Sequence, residues 1–159
     1  MVSAIVDSMI LMHYDNGHDQ AIDWWERSVE DGWRFYVSII SLMERFKGIA
    51  GMYGSRDEVL QGFRERLYTM KREKKIIRVL PITRRISDHA RKLMVEYCRR
   101  KTPSSNRGRM EALICDMLIA ATALEQDLPL FTFNSGDFDW ISELALKRPD
   151  YEIVWGGDV

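Results

Sequence analysis

The stretch Cys115-Asp116-Met117-Leu118-Ile119-Ala120-Ala121-Thr122-Ala123-Leu124, followed by Pro129-Leu130-Phe131-Thr132-Phe133-Asn134-Ser135-Gly136-Asp137-Phe138, decides how this chain folds. Apolar residues at Leu113, Ile114, Met117, Leu118, Ala121 and Leu124 have the spacing of one helix face. Asp116 projects from the edge of that face, where a carboxylate is costly to desolvate unless it is paired or binds a metal. A cationic partner for Asp116 is therefore expected. Leu130–Phe133 reads as a buried strand running into a turn at Asn134, Gly136 and Asp137. In an α/β sheet such strand ends open into a ligand crevice, so the two acids can face one another there.

The flanking sequence supplies the sheet. Ser3–Val6, Phe35–Val37, Ile76–Leu80 and Glu152–Trp155 read as further strands. Helices are expected after Asp7, over His18–Glu30, from Ser38, from Ser55 to about Lys74, from Thr83 to Arg100 and near Trp140–Leu146. Lys101–Gly108 reads as a loop. Strands alternating with helices predict an α/β fold with a mainly parallel sheet and helices on both faces. The chain of 159 residues fits one domain, taken as 1–159.

Composition narrows the function classes. A formal net charge of −1 excludes a broadly basic surface but leaves room for a local basic patch. Cys98 and Cys115 lack ligand-spaced neighbours, so no zinc site is expected, and both thiols are expected to be reduced and buried or half-buried. The N-terminus lacks a signal-peptide pattern and no apolar run spans a bilayer, which gives the expectation of a cytoplasmic protein with no membrane contact.

Four acids fall near the mouth of such a sheet: Asp7, Glu44, Asp116 and Asp137. Gathered together they repel one another unless a cation intervenes. Oxygen ligands without Cys or His suit Mg²⁺ or Mn²⁺. Each acid also has a scaffold reading. Asp7 can cap a helix, Ser41-Leu42-Met43-Glu44 can be a capping box, Asp137 can fix a turn or cap the Trp140 helix, and Asp116 can meet a buried Arg.

Val6-Asp7-Ser8, Ser38–Glu44 with Gly48, Asp116–Ala123 and Thr132–Phe138 together resemble the PIN-domain ribonucleases, most closely the VapC-type toxins of toxin–antitoxin pairs. The resemblance spans nearly the whole chain. It implies a PIN-like fold and a Mg²⁺- or Mn²⁺-dependent endoribonuclease whose catalytic and metal-binding acids are Asp7, Glu44, Asp116 and the acid of the last motif. In that motif family members place an acid at the position of Asn134 or at that of Asp137; here only Asp137 is charged, and Asn134 is a supporting residue. Ser8 and Thr132 match the hydroxyl residues that support the site in the family. Met9 stands where the family often has Asn. The resemblance also implies a homodimer held inactive by an antitoxin protein.

Arg99, Arg100, Lys101, Arg107 and Arg109 lead into the Asp116 helix and form the candidate RNA-contacting edge, with a solvated loop as the alternative. Trp24, Trp25 and Trp33 are either core residues or exposed anchors for a partner. The histidines His13, His18 and His89 are scattered and read as packing or surface residues. The rival function is a PIN-like module without catalysis that binds RNA or protein.

Overall fold

The computed structural model of the chain describes residues 1–50, 56–72, 78–100 and 107–153. The apolar run at the start forms β1 (Val2–Val6), in which Ala4, Ile5 and Val6 are completely buried. Such a strand must be covered on both faces, as parallel sheets are. The chain continues through α1 (Ser8–Asp15), α2 (Asp19–Glu30), β2 (Trp33–Ser38), α3 (Ile39–Ala50), α4 (Arg56–Arg72) and β3 (Arg78–Leu80). It then forms α5 (Arg84–Arg100), α6 (Arg107–Glu125) and β4 (Leu130–Phe131), a 3-10 turn over Ser135–Asp137, and β5 (Leu146–Lys147). The sheet order is β3-β2-β1-β4-β5 and every pairing is parallel. The expected α/β architecture with a parallel sheet is what the structure shows.

Alternation along β1 divides the core. Ile5 points to the side of α5 and α6, where it meets Ile86, Leu93, Met117 and Ala120. Ala4 and Val6 point to the side of α1 and α2, into a cluster of Trp24, Trp25, Phe35 and Phe131. Trp24 stacks on Phe35 with ring centroids 5.3 Å apart and meets Phe131 edge-on at 5.2 Å. These contacts place Trp24 and Trp25 in the core. Trp33 is half-buried against Phe35 and Phe131. The partner-anchor reading of the tryptophans is excluded for the first two.

Local signals set the boundaries. Gly17 and Gly32, with φ of +77° and +93°, end α1 and α2 in the left-handed conformation that glycine tolerates. Thr83 accepts a hydrogen bond from the Ile86 amide through Oγ1 at 3.2 Å and so opens α5. His18 does the same for α2 through the Ala21 amide at 3.4 Å.

Several expectations need correction. No helix forms near Trp140–Leu146. Phe138, Ile141 and Leu144 are buried at intervals of three, but successive tight turns carry them: the Ile141 amide bonds the Phe138 carbonyl, and the Leu144 amide bonds the Ile141 carbonyl. That spacing imitates a helix without requiring one. The fifth strand is Leu146–Lys147, while Glu152 and Ile153 lie outside any strand and residues 154–155 outside the described ones. The strand expected over Leu130–Phe133 is shorter, although the Thr132 amide still reaches the Lys147 carbonyl at 2.9 Å. In α6 the burial is wider than one face, because Ile119, Ala120, Thr122 and Ala123 are also completely buried while Ile114 is 46% exposed. Cys98 is exposed rather than buried, and Cys115 is half-buried. Among the described residues no helix is long and apolar enough to cross a membrane.

Candidate active site

The sheet order reverses between β1 and β4: the chain leaves β1 toward β2 and β3, then returns on the other side as β4. Loops diverge at such a point and leave a crevice at the carboxyl ends of the strands. Asp7 directly follows β1 and Thr132 directly follows β4, so both stand at this crevice. Thr132 Oγ1 donates to Asp7 Oδ2 at 2.8 Å, across the junction. The other carboxylate oxygen, Oδ1, accepts the Ser8 amide at 2.8 Å and the Ser8 hydroxyl at 3.4 Å. The Asn134 amide in turn donates to Thr132 Oγ1 at 3.0 Å. Asp7 is thus both the cap of α1, as its scaffold reading required, and part of the site.

A cavity of about 380 Å³ opens over Asp7 and takes in Ser8, Glu44, Asp116, Asn134 and Asp137, with Met9, Met12, Ala112 and Arg45 on its wall. Glu44 reaches it because α3 begins earlier than a capping box at Ser41 would require. Ser38 Oγ accepts the Ile40 amide at 3.1 Å and starts the helix at Ile39. Ser41 is then a fully buried helical residue, and Glu44 is left free to face the crevice. Asp116 lies midway along α6, where the exposed first half of the helix gives way to its buried second half. Asp137 closes the 3-10 turn; its backbone carbonyl accepts the Trp140 indole N–H at 3.1 Å. No helix follows for Asp137 to cap.

The electrostatics are those of charges brought together without compensation. Burial pushes the Asp7 carboxyl upward, opposed by the Thr132 and Ser8 hydrogen bonds. Burial raises Glu44 as well, with the Asp7 charge adding to it and a hydrogen bond from the Ser8 side chain opposing it. Asp116 is raised from 3.8 to about 8, first by burial and then by the charges of Asp7, Asp137 and Glu44. Glu44 Oε1 is buried without a hydrogen-bond partner. The expected cationic partner of Asp116 is absent among the described residues. Arg45, which lines the same cavity, is engaged elsewhere: its Nε donates to Asp15 Oδ2 at 2.8 Å and an Nη to Asn16 Oδ1 at 2.7 Å.

An all-oxygen donor set with an orphaned buried oxygen and mutually raised carboxyls fits a hard divalent cation. The site is not a closed cage, since no group of three or more His, Cys, Asp or Glu side chains among the described residues is set to hold a metal ion. Mg²⁺ commonly takes one or two carboxylates and completes its shell with water and substrate phosphate.

The expected basic edge is divided. Arg99 and Arg100 line a separate groove on α5, where Arg100 pairs with Glu96 at 2.7 Å. Arg100 lies 5.8 Å from the centroid of Trp140, whose indole bonds the Asp137 backbone carbonyl, but neither residue lines the acidic cavity. Arg109 is exposed on α6. Lys101 and the side chain of Arg107 fall outside the described residues. The histidines serve packing: His13 bonds Tyr151 at 3.0 Å, His18 caps α2, and His89 pairs with Glu125 at 3.1 Å. Sequence reasoning missed Arg45, whose only signal was its place beside Glu44.

Fold and site together define an α/β protein with an acidic, hydrolase-like cleft at the switch point of a five-stranded parallel sheet. The chain matches the PIN domain over residues 4–144 and belongs to that family, a family of nucleases. Among solved structures it is similar to a chain of VapBC2 from Rickettsia felis bound to a DNA fragment from its promoter, with 19% identity over 94% of this chain and 100% of that one and a TM-score of 0.67. It is also similar to VapBC-1 from nontypeable Haemophilus influenzae (21% identity, 93% and 98% covered, TM-score 0.63). A third is DNA-bound VapBC from Salmonella typhimurium (19% identity, 93% and 98% covered, TM-score 0.64). No curated protein matches the sequence.

Proposed function

We propose that this protein is a Mg²⁺- or Mn²⁺-dependent endoribonuclease that hydrolyses RNA phosphodiester bonds as the toxin of a toxin–antitoxin pair. The observation that carries the reading is the convergence of Asp7, Glu44, Asp116 and Asp137, from four different parts of the chain, on one cavity at the switch point. A bound divalent cation there supplies polarisation of the phosphate and acidification of a water. Asp7 and Asp116 both line the cavity and are the residues that would hold it. Asp7 is fixed by Thr132 and Ser8, so its oxygens keep their direction when the site fills. Glu44, whose buried Oε1 has no hydrogen-bond partner, would accept the proton of the attacking water, and Asp137 with Asn134 on the same cavity would orient that water.

The solved structures it resembles include one described as a toxin–antitoxin complex, from Klebsiella pneumoniae, which supports an antitoxin protein as partner. Met43 on α3 and Ile114 on α6 are 59% and 46% exposed, apolar surface suited to such a partner or to a second copy in a homodimer. The reading places the protein in the cytoplasm, where RNA is the substrate. A second reading, a binding module without catalysis, draws on the open spacing of the acids and on Met9 at the cavity wall.

The test is incubation of purified protein with a pool of structured RNAs, with Mg²⁺ or Mn²⁺ and with EDTA, beside Asp116→Asn. Discrete cuts that require the cation and vanish in the variant are expected. RNA binding without cation-dependent cutting supports the binding module.

A further inference from the structure

The acids of the cavity would repel the phosphate backbone, so a nuclease site needs a positive group at its edge. Arg45 lines the cavity directly, one residue along α3 from Glu44. A mobile guanidinium beside four carboxylates would collapse onto them. Arg45 does not: it is drawn to the end of α1 by Asp15 and Asn16, with its own side chain and that of Asp15 each 16% exposed. Two of its five N–H groups are used in these bonds, which leaves three in a fixed fork. A planar fork held at the rim suits the non-bridging oxygens of a phosphate diester.

We propose that Arg45 is a substrate-binding residue that grips an RNA backbone phosphate at the α1–α3 rim, positioned by Asp15 and Asn16. This rests on the nuclease reading and names the residue that brings the substrate to that site.

The experiment measures binding of a labelled pool of structured small RNAs to Asp116→Asn protein over a range of salt. Asn has nearly the shape of Asp, so this variant blocks cleavage during the binding measurement with little change of volume. Adding Arg45→Ala is expected to weaken binding about 5-fold and to flatten the log–log salt slope by about 0.7, the contribution of one phosphate contact on a single strand. Arg45→Lys should keep the slope, and so should Asp15→Ala, which removes the tether but not the charge. Arg45→Gln retains a hydrogen-bond donor toward α1 and should lose the same slope as Arg45→Ala, so the test holds if Arg45→Ala fails to fold. Equal losses of thermal stability in Arg45→Ala and Asp15→Ala with no change in slope would show a mere tie between α1 and α3 and overturn the inference. If the unaltered chain cuts RNA and the slope stays, Arg45 alone is wrong. If the unaltered chain neither cuts nor binds RNA, the nuclease reading falls, and Arg45 with it.

Discussion

The two walls of the acidic cavity are built on opposite terms. On the sheet side, Asp7 accepts hydrogen bonds from the Ser8 amide and hydroxyl and the Thr132 hydroxyl, and it caps α1. On the helix side, Asp116 has no hydrogen-bond or ion-pair partner among the described residues, and Glu44 Oε1 is buried without one. Burial raises all three of Asp7, Glu44 and Asp116, but only Asp7 is tied into the scaffold by hydrogen bonds to both of its oxygens. Burial alone does not explain the contrast, since Asp7 is the more deeply buried of the two aspartates. What differs is the supply of donors. A site with one satisfied wall and one unsatisfied wall is rigid on the first and ready for a cation on the second.

The largest expected effects are on catalysis, and they do not distinguish the walls. Asp7→Ala and Asp116→Ala should each reduce RNA cleavage about a thousand-fold or more in a metal-supplemented assay. Retained cleavage in either would remove that acid from the chemistry. The same two substitutions should part company in stability. Without added metal at pH 8, Asp7→Ala should cost about 2 kcal/mol, because the α1 cap is lost and the Thr132 hydroxyl and Ser8 amide are left without their acceptor. Asp116→Ala should instead stabilise the fold, since it removes an uncompensated buried charge and adds a good helix former. Urea unfolding of the two proteins checks the sign, and a shared sign would erase the difference between the walls.

The unsatisfied wall also predicts a pH dependence. The Asp116 carboxyl is raised from 3.8 to about 8 in the folded protein, so the fold keeps a proton there that the unfolded chain releases. Between those two values the native state binds more protons, and stability must fall as pH rises. That contribution is fully present below pH 4 and gone by about pH 8; it amounts to about 2–4 kcal/mol after allowance for partial exposure. Thermal melts of metal-free protein from pH 5 to pH 8 should show the decline, and Asp116→Asn should flatten it. Added Mg²⁺ or Mn²⁺ should restore stability at pH 8 in the parent and much less in the variant, because a cation binding only the native state shifts unfolding.

Parts of this contrast could be read in the sequence and parts could not. The alternation of apolar runs with amphipathic segments was enough for a parallel α/β sheet, because both-face burial leaves a continuous apolar strand such as Ala4-Ile5-Val6. The four acids were recognisable from their places at strand ends and on an apolar helix. Their support was only partly legible: Ser8 and Thr132 stand out by resemblance, but that they bond opposite oxygens of Asp7 depends on a strand pairing between residues 125 positions apart. Arg45 was invisible because its partners, Asp15 and Asn16, become neighbours only when α1 packs on α3. The false helix at Trp140–Leu146 arose from the opposite fault, in that burial at every third residue suits turns as well as helices. The helix start at Ser38 was legible, whereas the alternative capping box at Ser41 was not excluded by sequence, for both serines offer a hydroxyl and only Ser38 meets a free amide.

The smallest expected effect tests the satisfied wall at its weakest link. Thr132 Oγ1 donates to Asp7 and accepts from the Asn134 amide, so one hydroxyl joins the end of β1 to the loop that carries Asn134 and Asp137. Thr132→Val preserves the shape of this fully buried side chain and removes both bonds. The cost should be about 1–2 kcal/mol in urea unfolding, with a fall in cleavage of about ten-fold as Asp7 and the Asn134 loop lose their common anchor. Thr132→Ser keeps the hydroxyl and should retain most of the activity while losing a little packing. Ser8→Ala should do less still to Asp7, because its hydroxyl contact of 3.4 Å is long and the Ser8 amide continues to hold the same oxygen; what it does cost should come through Glu44, which loses the Ser8 side-chain bond. If Thr132→Val left both stability and cleavage unchanged, the order of the sheet-side wall would not come from its hydrogen bonds, and shape alone would have to hold Asp7 in place.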